Sequence, residues 1–297
     1  MKEKFSGLWP AMFTPVDSKG EPALDQLEKL TELFIAQQLD GIYILGSTGQ
    51  GLLFNEEQRK RVTQRVSKVV NGRIPVMVQV GALTTEEAIR LARHAEQCGV
   101  NAISSVGPVY YSGNAAMALA HYKAIANATQ LPFFPYQLGE NFIPGDTIQF
   151  VKQLLTIPHI TGMKLTTNQL LEISSIYNYA GDRLRLFSGS DELFCHAALC
   201  GAVGAIGSFY NIWGAECKHV LAAFKEGDYG LAQEFMLCFQ KVIRNILPNS
   251  WTFFRKAMLL KYQIDIGAAK APLGNTQAEW EDKAVVAIFE ELEAIVH

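Results

Sequence analysis

Short apolar, β-rich runs alternate with longer segments of helical period along most of the chain, and this alternation limits the fold more than any other feature. The runs lie at 8–14, 41–45, 75–80, 101–106, 131–136, 159–165, 183–187 and 203–207. Helical patterns occupy 24–38, 56–70, 85–98, 115–128, 145–155, 169–179 and 192–200. A strand that reaches the next strand through a helix lies parallel to it, with a right-handed crossover. Eight such units predict a closed (β/α)8 TIM barrel over residues 1–225. Four more helical patterns follow, at 214–224, 229–246, 251–262 and 276–296. One closes the eighth unit, and three form a C-terminal helical extension of the same domain, 226–297. Asn55 ahead of Glu56-Glu57 and Thr84 ahead of Glu86-Glu87 read as helix caps followed by acidic first turns.

Composition narrows the partners. The chain has 297 residues, 49% of them hydrophobic, enough to bury a large core without disulfide or metal staples. Its 26 basic and 29 acidic residues give a net charge of −3. A nucleic-acid or anionic-membrane partner calls for a clustered basic excess, so neither is expected. No run reaches the roughly 18 apolar residues of a membrane span, and none follows Met1-Lys2-Glu3-Lys4 as a secretory signal would require. Cys98, Cys195, Cys200, Cys217 and Cys238 are odd in number and form no C-x-x-C pair, which fits reduced thiols in a cytoplasmic protein. The histidines are scattered and His196 lacks a third donor beside Asp191, so no metal site is expected.

In such a barrel the active site is built at the C-terminal ends of the strands. That rule selects Gly46-Ser47-Thr48-Gly49-Gln50-Gly51 after the second strand, Pro108-Val109-Tyr110-Tyr111 after the fourth and Tyr136 at the end of the fifth. Lys164 ends the sixth, Gly189-Ser190-Asp191-Glu192 follows the seventh, and Ser208 the eighth. Period-two alternation puts Gly162 and Lys164 on one face and Met163 and Leu165 on the other. With the apolar pair against the helices, Lys164 points into the barrel, and Gly162 leaves room below it. Partial desolvation there favours the neutral amine as a nucleophile toward a carbonyl; the alternative is a lysine that snorkels into solvent. The 46–51 loop suits a small anion, held by freed backbone N–H groups with Ser47 and Thr48, or else is only a tight strand-to-helix turn. Tyr136 is either a proton relay or a packing residue, and Asp191 and Glu192 either site residues or first-turn acids.

Taken together, Gly46-Ser47-Thr48-Gly49, Pro108 with Tyr110-Tyr111, Tyr136, and Lys164 further along resemble the N-acetylneuraminate lyase and dihydrodipicolinate synthase family of class I (Schiff-base) aldolases. The likeness runs from Gly7-Leu8-Trp9-Pro10 to the C-terminal helices. It implies an imine between Lys164 and a 2-oxo acid, with no external cofactor. Ser47 and Thr48 would hold the carboxylate, and Tyr136 would shuttle a proton. Tyr110, lent across a subunit interface of a homotetramer, would orient Tyr136. Thr166, Gly189, Asp191, Glu192 and Ser208 would complete the substrate-binding set.

Within the family, Gly189-Ser190-Asp191-Glu192 and Gly207-Ser208-Phe209-Tyr210-Asn211 resemble the marks of the sialic acid lyases. The resemblance therefore implies cleavage of N-acetylneuraminate to pyruvate and N-acetylmannosamine. The synthases carry an arginine five residues after the tyrosine, and here that position is Asn141. Asn141, Gln137, Gln50 and Phe209 depart from the lyase pattern, which bears on the aldehyde half of the substrate. Aldolases for 4-hydroxy-2-oxoglutarate or a 2-keto-3-deoxy sugar acid are the alternatives, as is a non-catalytic barrel that binds a 2-oxo acid.

Overall fold

A computed structural model of the chain describes residues 4–111, 114–138, 146–274 and 276–296. Eight parallel strands occur among them: β1 (Gly7–Pro10), β2 (Ile42–Ile44), β3 (Val76–Gln79), β4 (Ala102–Val106), β5 (Phe133–Leu138), β6 (Gly162–Thr166), β7 (Arg185–Ser188) and β8 (Gly204–Gly207). They are ordered β1-β8-β7-β6-β5-β4-β3-β2. The remaining gap is bridged where Ala11 meets Tyr43 and the Met12 amide donates to the Tyr43 carbonyl at 2.8 Å. Helices α1 (Leu24–Ala36), α2 (Glu56–Val70), α3 (Thr85–Gln97), α4 (Ala115–Ala126), α5 (Thr147–Leu154), α6 (Leu170–Ala180), α7 (Phe194–Leu199) and α8 (Tyr210–Lys225) follow the strands in turn, completing a (β/α)8 barrel. Capping is as the sequence suggests: Asn55 forms a reciprocal box with Gln58, and the Thr84 hydroxyl accepts from Glu87 N. No helix among the described residues is long and apolar enough to cross a membrane.

The two faces of the strands bury two separate cores. Leu8, Ile42, Ile44, Val76, Val78, Ile103, Phe133, Met163, Leu165, Leu186 and Ala205 face the helices. Trp9, Tyr43, Met77, Ala102, Phe134, Phe187 and Ile206 fill the interior, with Phe5 packed beneath them. Trp9 and Phe134 both meet Phe187 near edge-on, at 5.6 and 6.0 Å between ring centroids, the arrangement aromatic rings prefer. β6 contributes no side chain at this level. Its Gly162 faces the Phe134 ring so closely that a Cβ would collide with that ring and with the Arg185 carbonyl. The space expected beneath the lysine stem is therefore occupied by Phe134.

Beyond α8 lie α9 (Tyr229–Ile246), α10 (Ser250–Tyr262) and α11 (Asp282–Glu293). Trp213, at a non-helical kink inside α8, packs against Phe239, Phe253 and Phe289, one ring from each of the three helices, at 6.0–6.1 Å. The helix expected over 276–296 is shorter, because its first residues serve α10 instead. Gln277 Oε1 accepts from Trp251 N at 2.7 Å, while Asn249 accepts from Ala278 N and from the Trp280 indole. These bonds satisfy groups at the start of α10 and hold residues 277–280 out of helical geometry.

The fit at Gly162 is testable. Gly162→Ala should lower the unfolding free energy by roughly 1–3 kcal/mol, since overpacking against backbone has little room to relax. Urea titration would show this as a reduced midpoint, and an unchanged midpoint would mean that β6 and β7 separate without cost.

Candidate active site

Lys164 occupies the inward face of β6, one pleat above the aromatic floor, and is 5% exposed. Its Nζ lies 4.3 Å from the centre of the Tyr136 ring and 4.9 Å from that of Tyr43. Two ring faces replace part of the ammonium's water shell. The stem is accommodated by Gly189, where a Cβ would come within 3.0 Å of Lys164 Cε and collide with Thr166 Oγ1. Thr166 donates to the Tyr136 hydroxyl oxygen at 3.3 Å, so that phenol keeps its own proton to give. Tyr43 donates to Ser104 Oγ at 3.2 Å, and burial pushes its phenol far above the usual range, leaving a neutral hydroxyl.

A pattern links four strands, β5 to β8, here. Phe134 of β5 fills the place of a side chain at Gly162 in β6. Thr166 of β6 fills that at Gly189 after β7, and Asp191 after β7 fills that at Gly207 in β8. Each glycine admits the side chain of the preceding unit toward the barrel axis, which is how bulky groups converge on one mouth.

The β2 loop approaches from the opposite side. Leu45 and Gln50 both adopt left-handed φ, +60° and +54°, and the bonds Gln50 N to Ser47 O and Gly51 N to Gly46 O fold the loop back on itself. Such conformations cost non-glycine residues about 1–2 kcal/mol each and persist only where the surroundings hold them. Thr48 is buried and Ser47 exposed. Thr48 Oγ1 and Ser208 Oγ lie 2.6 Å apart, so Ser208 belongs to the same end of the mouth as the β2 loop. Asn211, fully buried, accepts from Phe13 N and donates to the carbonyls of Ala11 and Ser208, fastening β1 to the β8 loop.

Thr166, Gly189, Asp191, Glu192 and Ser208 line one cleft of about 370 Å³, with Phe209, Ile243 and Leu247 on its far wall. The last two come from α9 and its C-terminal turn, so the extension forms part of the mouth. Asp191 is buried and its Oδ2 accepts from Phe209 N at 2.7 Å. Burial pushes its carboxyl up to about 7, with Glu192 adding to the rise and the Phe209 amide and Lys164 opposing it. Tyr110 is not brought to Lys164 within the chain. It is 80% exposed and packs edge-on against Tyr111 at 5.0 Å. Asn141 and the adjoining Gly139-Glu140 lie outside the described residues. Tyr43 was missed as a contributor, although the alternation of Ile42 and Ile44 outward was a usable signal. Asn211 and Gln50 stood within the motifs singled out, but their partners, some 200 residues away, left no signal in the chain.

The Asp191 carboxyl gives a pH prediction. It ionises near 3.8 when unfolded and near 7 when folded, so the native state binds its proton more tightly. Native stability should therefore fall as pH rises from about 4 to 7, by a few kcal/mol at most, and level off above that. Asp191→Asn keeps an oxygen acceptor for Phe209 N and removes the titration. Its stability relative to wild type should rise across this window in urea titrations at successive pH values, and parallel pH profiles would refute the assignment.

Comparison with known proteins identifies the family and agrees with the barrel fold. Residues 4–291 match the model of the dihydrodipicolinate synthetase family. N-acetylneuraminate lyase of Citrobacter koseri is 33% identical over 90% of this chain and 89% of its own length, and that of Salmonella agona 30% identical over 94% and 95%. Among solved structures, the wild-type sialic acid aldolase of Ruminococcus gnavus superposes with a TM-score of 0.89 at 25% identity, covering 99% of this chain and 98% of that one. N-acetylneuraminate lyase of Mycoplasma synoviae gives 0.86 at 26% identity, covering 100% and 98%. The chain belongs to the dihydrodipicolinate synthetase family and is a carbon–carbon lyase of the aldolase type.

Proposed function

We propose that this enzyme cleaves a hydroxylated 2-oxo acid to pyruvate and an aldehyde through an imine on Lys164, with N-acetylneuraminate as substrate and N-acetylmannosamine as the aldehyde product. The observation that carries the reading is a lysine amine held between two tyrosine rings at the C-terminal mouth of the barrel, beside a phenol whose oxygen already accepts from Thr166. The neutral amine adds to the keto carbon, and Tyr136 gives its phenol proton to the departing hydroxyl, so that water leaves behind a protonated imine and a phenolate. The Tyr136 oxygen takes the proton of the substrate's C4 hydroxyl as the C3–C4 bond breaks. That bond's electron pair enters the imine to form an enamine, and the aldehyde departs. Protonation at C3 and hydrolysis then release pyruvate and restore Lys164. No external cofactor is needed, because the iminium is itself the electron sink.

Ser47 and Thr48 serve as carboxylate anchors in this reading, supported by the hydroxyls and folded-back amides of their loop. Thr166, Gly189, Glu192 and Ser208 shape the pocket for the polyol tail, and Asp191 offers its second oxygen to a hydroxyl. The cleft they line suits a chain of hydroxyls more than a second carboxylate, since its ionisable side chains, Asp191 and Glu192, are acidic. Pyruvate with borohydride should add a stable mass increment to Lys164, absent in Lys164→Arg, and N-acetylneuraminate should release pyruvate. An increment that persists in the arginine variant would sink the imine. Release from 4-hydroxy-2-oxoglutarate or a 2-keto-3-deoxy sugar acid, with none from N-acetylneuraminate, would overturn the substrate alone.

We further infer a cytoplasmic homotetramer in which Tyr110 reaches a neighbouring site. Leu83, Tyr111 and Met117 are exposed around one cleft of about 420 Å³, and the exposed Tyr110 packs against Tyr111 beside it, an apolar grouping of the kind that marks contacts between chains. Activity should fall on dilution in step with dissociation measured by light scattering. A demonstrable monomer with full activity would remove Tyr110 from the site.

A further inference from the structure

The C-terminal extension does more than pack behind the barrel. After α10 the chain returns across the mouth, where residues 264–273 lie over the loops that follow β1 and β2. Val16 N donates to Ile266 O at 3.1 Å, and Gly267, with a left-handed φ of +73°, sits so close to the Val16 carbonyl that a Cβ would collide with it. Lys270 Nζ donates to Gly20 O at 2.8 Å and lies 4.9 Å over the Phe54 ring. The bond that reaches the β2 loop itself is shorter: Gln50 Oε1 accepts from Lys270 N at 2.6 Å.

That bond lands on the residue that most needs holding. Gln50 is buried, adopts left-handed φ, and directly follows Ser47-Thr48-Gly49. Its own N–H closes the turn onto Ser47 O. A Cβ at Gly49 would crowd the Met12 carbonyl, and one at Gly51 would collide with the Leu45 carbonyl, so the loop has no slack on either side of Gln50. The side-chain acceptor of Gln50 thus converts the position of an irregular strap, 220 residues away in sequence, into the orientation of the Ser47 and Thr48 hydroxyls and amides.

We propose that Gln50 is a positioning residue for substrate binding: through its bond to the Lys270 amide, the C-terminal strap sets the geometry in which Ser47 and Thr48 receive the carboxylate. This rests on the reading of those two residues as the carboxylate anchor. The bond does not touch the reacting atoms, so its loss weakens substrate and transition state alike and appears in KM with kcat little changed.

The test uses the full-length assembled enzyme and pyruvate release from its cleaved 2-oxo acid. Gln50→Met keeps length and bulk but removes the acceptor, and KM should rise about tenfold with kcat within about threefold, the size of one lost hydrogen bond. Gln50→Glu restores an oxygen at the same reach and should return KM to within about threefold of wild type. Gln50→Ala replaces the methionine variant if that one folds poorly. An unchanged KM, or a loss confined to kcat, overturns the proposal, as does failure of glutamate to restore KM. Thr48→Val separates this from the underlying reading. If it raises KM while Gln50→Met does not, only the positioning role falls; if it leaves KM unchanged, the carboxylate anchor falls with it.

Discussion

An ammonium group taken out of water needs something in place of its hydration, and the way this barrel supplies it for Lys164 shapes everything nearby. Two tyrosine faces stand against Nζ, and below them Trp9, Phe134 and Phe187 form a floor that admits no polar partner. For these groups to converge on one axis, neighbouring strands must yield volume. Gly162, Gly189 and Gly207 do so in succession, each letting the side chain of the preceding unit lean inward. The sixth, seventh and eighth units are thus cut to one another as well as to the lysine.

Charge is used sparingly around this centre. Among the described residues, besides Lys164, the cleft offers a carboxyl at Asp191 whose ionisation burial resists, a half-buried Glu192, and otherwise hydroxyls and backbone amides. In the proposed reading, neutral donors suit a carboxylate substrate in a protein with net charge −3, because they would bind it without a basic patch that attracts other polyanions. The bonds that join loops across the mouth, Thr48 to Ser208 and Asn211 to Ala11 and Phe13, are likewise between uncharged groups. They hold position at little electrostatic expense. Ionic contacts lie farther out, as where Lys261 of α10 bridges Glu216 of α8 and Glu293 of α11.

Much of the architecture was legible in the chain. Alternating apolar residues gave the strands a helix-facing side, Ile42 and Ile44 or Met163 and Leu165 for example, and the segments at 56–70 and 229–246 coincide with helices end to end. The inward direction of Lys164 followed from Met163 and Leu165 alone. Reading failed where a local pattern met a distant partner. Residues 276–281 carry a helical pattern yet serve as caps for α10, and Gly162 makes room for a ring from the neighbouring strand instead of for the lysine two residues on. Ser208, expected with the polyol-side residues, also touches Thr48 of the β2 loop.

What the sequence by itself determined was periodic: which residues form strands, which face each strand buries, and which side chains reach the C-terminal rim. Those properties depend on spacing of two or 3.6 residues and need no knowledge of what lies across the barrel. What only the tertiary structure decided was adjacency among loops far apart in the chain. Gln50 meets residue 270, Thr48 meets Ser208, and Ile243 joins the cleft of Asp191, because closing eight strands brings their ends together whatever their separation in sequence.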